Sequence, residues 1–452
     1  MNHAIIVASG AGIDGEDLSA FGRMFYCGNP QLTRLIIIAQ RAGIEKFTVI
    51  DDGLDLYLRQ SIEKDKRITA EINWQSPTEP LDLDSSPHLI LQSNIVTTPS
   101  ALENIIKSNP SSDEVMALVD SAKGALIKSN GNKAEELFHS GGKIVGVFAA
   151  RGYVISNAFS RSNSLKSFLS SAIGEGKLNC LDFKDGYWMR LTEDEESLKR
   201  AEDIMFSHVS KSSSGWISKN IHSKLSIPVS RLLVKTPLTP NMISAIIGCI
   251  GALCGVFYAI GHPILGALFL EIATIFDRSD GEVARIKLQE TKYGPWVDTT
   301  FDQLSFMSFV IGVPLGYWLI AHSKMAVIGG AINIGIFLFF LVWTYYFLIT
   351  HAHSGTMVAY SKEVDKLIPK SRRTLLHRFI IKLRPMFKRE FFSFVFLVAA
   401  IAGGYPWVLW LITLGLVLSL IHQVDDIIKV SMTKKRTKGV YVAPPQKQEI
   451  IV

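Results

Sequence analysis

The chain has 452 residues, a formal net charge of +6 and 48% hydrophobic residues. That length exceeds one ordinary domain, and the apolar residues are spread so unevenly that a soluble and a lipid-facing class of structure must both be present. The basic excess does not mark a nucleic-acid partner, because it gathers at residues 362–389 and 434–438, beside apolar stretches, as on the cytoplasmic faces of membrane proteins.

Residues 4–9, AIIVAS, read as a strand, followed by glycines, a helix near 31–42, a strand at 47–50 and a helix after Asp55. Strands at 88–92, 115–120 and 143–150 follow, with a helix from Ser100 between the first two. This rhythm predicts an α/β domain with a largely parallel sheet. The N-terminus lacks a basic region and a cleavage site, so no signal peptide is expected. Cys27, Cys180, Cys249 and Cys254 are scattered without zinc spacing, which suits a reducing compartment.

An amphipathic helix at 193–209 closes the soluble part, and Lys211 to Gly215 read as a linker. Residues 216–234 mix Trp, Ile and Leu with Lys and Arg, as a helix lying in a membrane interface would. Hydropathy then places six spans, roughly 241–260, 262–280, 297–320, 325–350, 391–404 and 406–425. The basic loops around 278–292 and 362–389 put both termini and the active site in the cytoplasm of a multi-pass inner-membrane protein. The expected organisation is a cytoplasmic domain at 1–210, a linker and interfacial helix at 211–238, a membrane domain at 239–430 and a basic tail at 431–452.

The chemistry concentrates in residues 276–303, FDRSDGEVARIKLQETKYGPWVDTTFDQ. Asp277 and Asp280 are three apart and Asp298 and Asp302 four apart, so each pair shares a helix face. Gly294 and Pro295 permit a turn that brings the two faces together. Carboxylates without His or Cys select a hard divalent ion, Mg²⁺ or Mn²⁺, and about two such ions can grip a diphosphate.

Asp277, Asp280, Gly281, Ala284, Arg285, Gly294, Asp298 and Asp302 fall on the pattern D-x2-D-G-x2-A-R-x8-G-x3-D-x3-D, and the membrane half thereby resembles the CDP-alcohol phosphotransferase family. The resemblance extends to six spanning helices, a preceding interfacial helix and the pair Pro240 and Asn241. It implies that Asp277, Asp280, Asp298 and Asp302 ligate metal, that Asp302 also takes the proton of the attacking hydroxyl, and that a homodimer forms through the membrane helices. It further implies that the CDP moiety lies against Asp277, Asp280, Gly281, Ala284, Arg285 and Gly294, Arg285 neutralising the diphosphate. An acceptor that is itself a polyol phosphate would need cations, for which Lys287, Lys292, Arg372, Arg373 and Lys382 are candidates by topology.

In the soluble half AIIVASGAG, YCGNPQLTRLIIIAQRAGIEKFTVI and GYWMRLTEDEESLKRAED resemble a sugar-phosphate nucleotidyltransferase domain. The fusion resembles bifunctional enzymes joining an inositol-phosphate cytidylyltransferase to a di-myo-inositol phosphate phosphate synthase. Ile13 stands where those domains have Arg, Phe21 and Gly22 where they have a Lys-Pro pair, and Arg190, Leu191 and Thr192 where they have an Asp-rich segment. Asp120 is left as the one plausible metal ligand there, so a degenerate domain is expected.

The expected reaction moves a substituted phosphate from CDP-inositol or a similar CDP-polyol to an acceptor hydroxyl and releases CMP. A CDP-diacylglycerol donor in phospholipid synthesis is the alternative. A membrane anchor or transporter is the reading from another class, disfavoured because the aspartates lie at helix ends beside a basic loop.

Overall fold

The computed structural model describes residues 1–53, 56–120, 127–130, 133–137, 144–161, 164–211, 222–367 and 389–437. The chain divides into two compact units.

The first unit comprises Met1–Ser212 together with Val234–Pro237 and Arg285–Gln289. Its strands are β1 (His3–Val7), β2 (Phe25–Tyr26), β3 (Asn29–Pro30), β4 (Lys46–Ile50), β5 (Glu71–Gln75), β6 (Pro87–Gln92) and β7 (Ile95–Thr97). They continue as β8 (Val115–Val119), β9 (Ile127–Asn130), β10 (Lys133–Leu137), β11 (Ile144–Arg151), β12 (Leu178–Asp182) and β13 (Trp188–Arg190). Nine of them form one sheet in the order β5-β4-β1-β6-β11-β8-β12-β10-β9.

The expected parallel arrangement holds from β5 through β6 and between β8 and β12. Strand β11 instead runs antiparallel to both β6 and β8. Its run of seven buried residues reports burial on both faces, which is blind to strand direction.

Helices α1 (Gln31–Arg41), α2 (Leu56–Glu63), α3 (Pro99–Ile106), α4 (Gly152–Arg161), α5 (Leu165–Gly174) and α6 (Glu195–Lys211) accompany the sheet. Leu35, Ile36 and Ile38 of α1 pack with Ile6, Val49, Leu89 and Leu91 in the core, which also takes in Leu288.

The second unit comprises Ser213–Leu233, Leu238–Ala284 and Glu290–Val452. Its helices are α7 (Ser223–Val234), α8 (Pro240–Ala259), α9 (Pro263–Phe276), α10 (Arg278–Ile286), α11 (Gly294–Ala321), α12 (Lys324–Phe347), α13 (Met357–Leu367), α14 (Arg389–Gly403) and α15 (Tyr405–Thr437). Helix α7 ends and α10 ends in residues counted with the first unit.

Four segments are long and apolar enough to cross a membrane: Pro240–Ala259, Gly294–Ala321, Lys324–Ala352 and Tyr405–Ile428. The expectation of six spans is met in length by these four among the described residues; α9 has 14 residues and α14 has 15. A 14-residue helix reaches only about 21 Å against a core of about 30 Å.

Helices α8 and α11 are packed with backbone nearly on backbone. A Cβ on Gly312 would fall on the carbonyl of Gly255, and one on Gly316 on that of Tyr258. Ser305 and Ser308 of α11 donate to the carbonyls of Gly248 and Ala252 at 3.0 and 2.7 Å. Small residues let two lipid-embedded helices approach so closely, and polar contacts between them replace the absent hydrophobic drive. The start of α11, which carries Asp298 and Asp302, is thereby fixed against α8.

Candidate active site

Helix α9 stops at Phe276, and the turn residue Asp277 donates its backbone N–H to the Ala273 carbonyl at 2.9 Å before α10 begins. Asp280 lies in the first turn of α10, where the helix dipole favours a carboxylate. Asp298 and Asp302 follow one turn apart near the start of α11, and Thr299 between them donates to the Gly355 carbonyl at 2.7 Å.

Asp277, Asp298 and Asp302 each present a carboxylate oxygen, all within 4.8 Å of one another. Three such oxygens with no nitrogen or sulfur donor fit a hard divalent cation. Asp280 adjoins the cluster through its side-chain contact with Asp298, and its carboxylate also accepts from the Ser244 hydroxyl on α8 and from the Gly281 N–H; it is 8% exposed. Of the four expected ligands, the fold brings three within that distance and sets the fourth against Asp298, with the Ser244 hydroxyl as a further partner.

Arg389, the first residue of α14, donates to Asp302 and lies 3.4 Å from Asp277. In the sequence it is the last cation of the basic stretch 362–389 and belongs to no motif. Its distance of 87 residues from Asp302 leaves no local signal; only its place at the start of an apolar helix could have singled it out.

Glu282, between the motif residues Gly281 and Ala284, is fully buried. It accepts from Ser230 at 2.7 Å and Ser226 at 3.2 Å on α7, and from Arg278 at 3.3 Å. Both serines of α7 are themselves 0% exposed, so the helix read as interfacial puts its hydroxyl stripe on the motif helix.

The remaining candidates are dispersed. Gly281 and Ala284 are half-buried, and Arg285 and Lys292 are exposed. Gly294 opens α11 with its N–H on the Thr291 hydroxyl at 2.9 Å. Lys287 is 4% exposed, its ammonium donates to the Thr236 carbonyl at 2.6 Å, and burial lowers its pKa from the ordinary lysine range. Arg372, Arg373 and Lys382 lie outside the described residues.

In the first unit, Asp120 accepts from the Trp188 indole N–H at 2.7 Å in a buried setting. Arg190 pairs with Asp14, and Ile13 and Phe21 are buried at 6% and 0% exposure. Burial, with Asp14 nearby, raises the pKa of the Glu16 carboxyl.

Residues 237–421 match the family model described as CDP-alcohol phosphatidyltransferase, a stretch that contains the whole aspartate constellation. This part of the chain is a CDP-alcohol phosphatidyltransferase domain. The CDP-alcohol phosphatidyltransferase domain contains all four membrane-length segments except the last residues of the fourth, so the protein is membrane-embedded.

Among curated relatives, a bifunctional IPC transferase and DIPP synthase of Aquifex aeolicus is 28% identical over 148 residues, 32% of this chain and 33% of the relative. One of the same description from Archaeoglobus fulgidus is 30% identical over 149 residues, 32% of this chain and 30% of the relative. An archaetidylinositol phosphate synthase of Pyrococcus horikoshii is 30% identical over 99 residues, 21% of this chain and 53% of the relative. The matches to the two bifunctional relatives span about a third of their length. The solved inositol-1-phosphate CTP transferase of T. maritima aligns with a TM-score of 0.36 at 17% identity, covering 45% of this chain and 96% of that one.

Proposed function

We propose that the protein is a membrane-embedded phosphotransferase that moves a substituted phosphate from a CDP-activated polyol to an acceptor hydroxyl and releases CMP. The observation that carries this reading is the convergence of Asp277, Asp298 and Asp302 within 4.8 Å inside a domain of this family.

Asp277, Asp298 and Asp302, with Asp280 beside them, would hold Mg²⁺ or Mn²⁺. Bound there, about two such ions would neutralise the diphosphate and lower the charge on the attacking and leaving oxygens. Asp302 accepts the proton of the acceptor hydroxyl, whose oxygen bonds to the phosphorus farther from cytidine as the bond from that phosphorus to the bridging oxygen breaks and CMP departs. Arg285 offers a guanidinium to the diphosphate. Arg389 keeps the carboxylates of Asp302 and Asp277 oriented and supplies countercharge.

A CDP-polyol donor is supported by the likeness to relatives described as IPC transferase and DIPP synthase. A CDP-diacylglycerol donor is the second reading, supported by relatives named for lipid products, archaetidylinositol phosphate and phosphatidylinositol phosphate. The α/β domain is read as a degenerate nucleotidyltransferase, because Asp120 is engaged by Trp188 and Arg190 by Asp14.

The test is CMP release by the detergent-purified chain with Mg²⁺, offering CDP-inositol and CDP-diacylglycerol separately against polyol and polyol-phosphate acceptors. Turnover with CDP-inositol that Asp302→Asn abolishes supports the first reading. Turnover with CDP-diacylglycerol alone replaces it by the second, and none with any pair removes both.

A further inference from the structure

Arg34 of α1 is 2% exposed, and its partners are carbonyls, a sulfur and a ring. It donates to the carbonyls of Cys27 and Ile286 at 3.2 and 2.8 Å, approaches Met205 Sδ at 3.6 Å and lies 5.0 Å over the Tyr26 ring. A guanidinium taken so far out of water costs several kcal/mol unless its donors are matched, so a purely packing role would favour an apolar side chain here.

Ile286 is the last residue of α10, where the helix leaves carbonyls without intrahelical partners. The neighbouring carbonyls are engaged as well, all by groups of the same unit. Asn29 and Arg67 both donate to the Lys287 carbonyl, at 2.8 and 2.9 Å, and Arg67 also donates to the Asn29 side-chain oxygen at 2.7 Å. Arg41 donates to the Leu288 carbonyl at 3.0 Å. Three guanidinium groups thus sit at the negative end of one short helix.

The side chains of the segment are held too. Leu288 turns the chain with φ 57° and buries its side chain in the core of the unit. The Lys287 stem lies against Gly28, whose φ of +80° suits glycine and where a Cβ would come 3.1 Å from Lys287 Cγ.

We propose that the α/β domain acts as the C-terminal cap of the motif helix, with Arg34, Asn29 and Arg67 as positioning residues that fix the direction of Arg285. Arg285 sits one residue before the first capped carbonyl, in the last turn of α10, and is exposed. The proposal rests on the reading of Arg285 as the group that meets the diphosphate. It gives a domain whose Asp120 is engaged by tryptophan a present role: it holds the segment that follows Arg285 within the same unit.

The experiment is calorimetric titration of CDP into the full detergent-solubilised chain in Mn²⁺, comparing wild type, Arg34→Gln, Asn29→Ala, Arg285→Ala and the pairs of each cap variant with Arg285→Ala. Each cap variant should weaken CDP by about tenfold, and neither should weaken it further once Arg285 is alanine, since residues acting through one group are not additive. A general loss of stability would not give that coupling, and Asn29→Ala keeps every charge should Arg34→Gln fail to fold. Additive losses, or cap variants that bind CDP as wild type does while Arg285→Ala does not, overturn the proposal. Wild type that binds no CDP overturns the reading of the site beneath it, a separate outcome.

Discussion

The guanidinium of Arg389 donates to the carboxylate of Asp302 and reaches within 3.4 Å of Asp277. One cation at the start of α14 therefore compensates two of the three carboxylates that converge on the cluster. Replacing it by Met leaves those charges to repel one another in a half-buried setting. The cost should lie between the ~1 kcal/mol of an exposed pair and the ~3–5 kcal/mol of a buried one. Thermal unfolding of Arg389→Met in EDTA should begin well below that of wild type, and added Mn²⁺ should raise its midpoint more than it raises the wild-type midpoint. Equal ion effects on both proteins would remove Arg389 from the electrostatics of the cluster.

Asp302→Asn and Asp280→Asn should differ in kind. An amide at Asp302 keeps shape but cannot take a proton from the acceptor, so turnover should fall by about 10²–10⁴-fold while CDP affinity in Mn²⁺ changes little. Asp280 accepts from Ser244 as well as adjoining Asp298, and its amide variant should lose CDP affinity more than turnover at saturation. Steady-state kinetics of CMP release with parallel CDP titration separates the two; the same pattern in both variants would contradict the division of roles.

Gly312→Ala tests the seat of α11. The added methyl would meet the Gly255 carbonyl, which is backbone and cannot rotate away. Overpacking costs about 1–3 kcal/mol, with the upper end expected where backbone must move. Unfolding in detergent should shift down, and activity should fall because Asp298 and Asp302 ride on the displaced helix. Gly335, which has open space around it, is the control, and Gly335→Ala should leave both quantities unchanged.

Acid should weaken the α/β unit through His3. Its ring shares a hydrogen bond of 2.9 Å with Thr48 and lies 4.7 Å from the ring of His88. Burial, then His88 and Lys46 against Asp84 and Glu71, pushes its pKa from 6.5 down to about 4. The unfolded chain therefore binds the proton first as pH falls, so this contribution to stability is complete above about pH 6.5 and is lost on the way down to about 4. Denaturant midpoints of the α/β unit in the full chain, followed over that range, should fall less steeply for His3→Gln than for wild type.

The sequence alone determined the division into an α/β part and an apolar helical part, because the length of an apolar run is written locally, short in Ile5, Ile6 and Val7 of β1 and long in segments such as Pro240–Ala259. It also paired Asp298 with Asp302, since four-residue spacing puts two side chains on one face of a helix such as α11. It did not determine the direction of β11, whose fully buried run reads alike either way. Nor did it reveal that Asp280 accepts from the Ser244 hydroxyl 36 residues away.

Arg389 with Asp302, Glu282 with Ser230, and Arg34 with the Ile286 carbonyl are likewise pairings of residues 87, 52 and 252 positions apart. Such partners are chosen by which helices and strands pack together, and the energy that chooses them is shared over many weak contacts rather than carried by a local pattern. The sequence thus determined what chemistry the aspartates offer. Tertiary structure decided how they converge and which cation answers them.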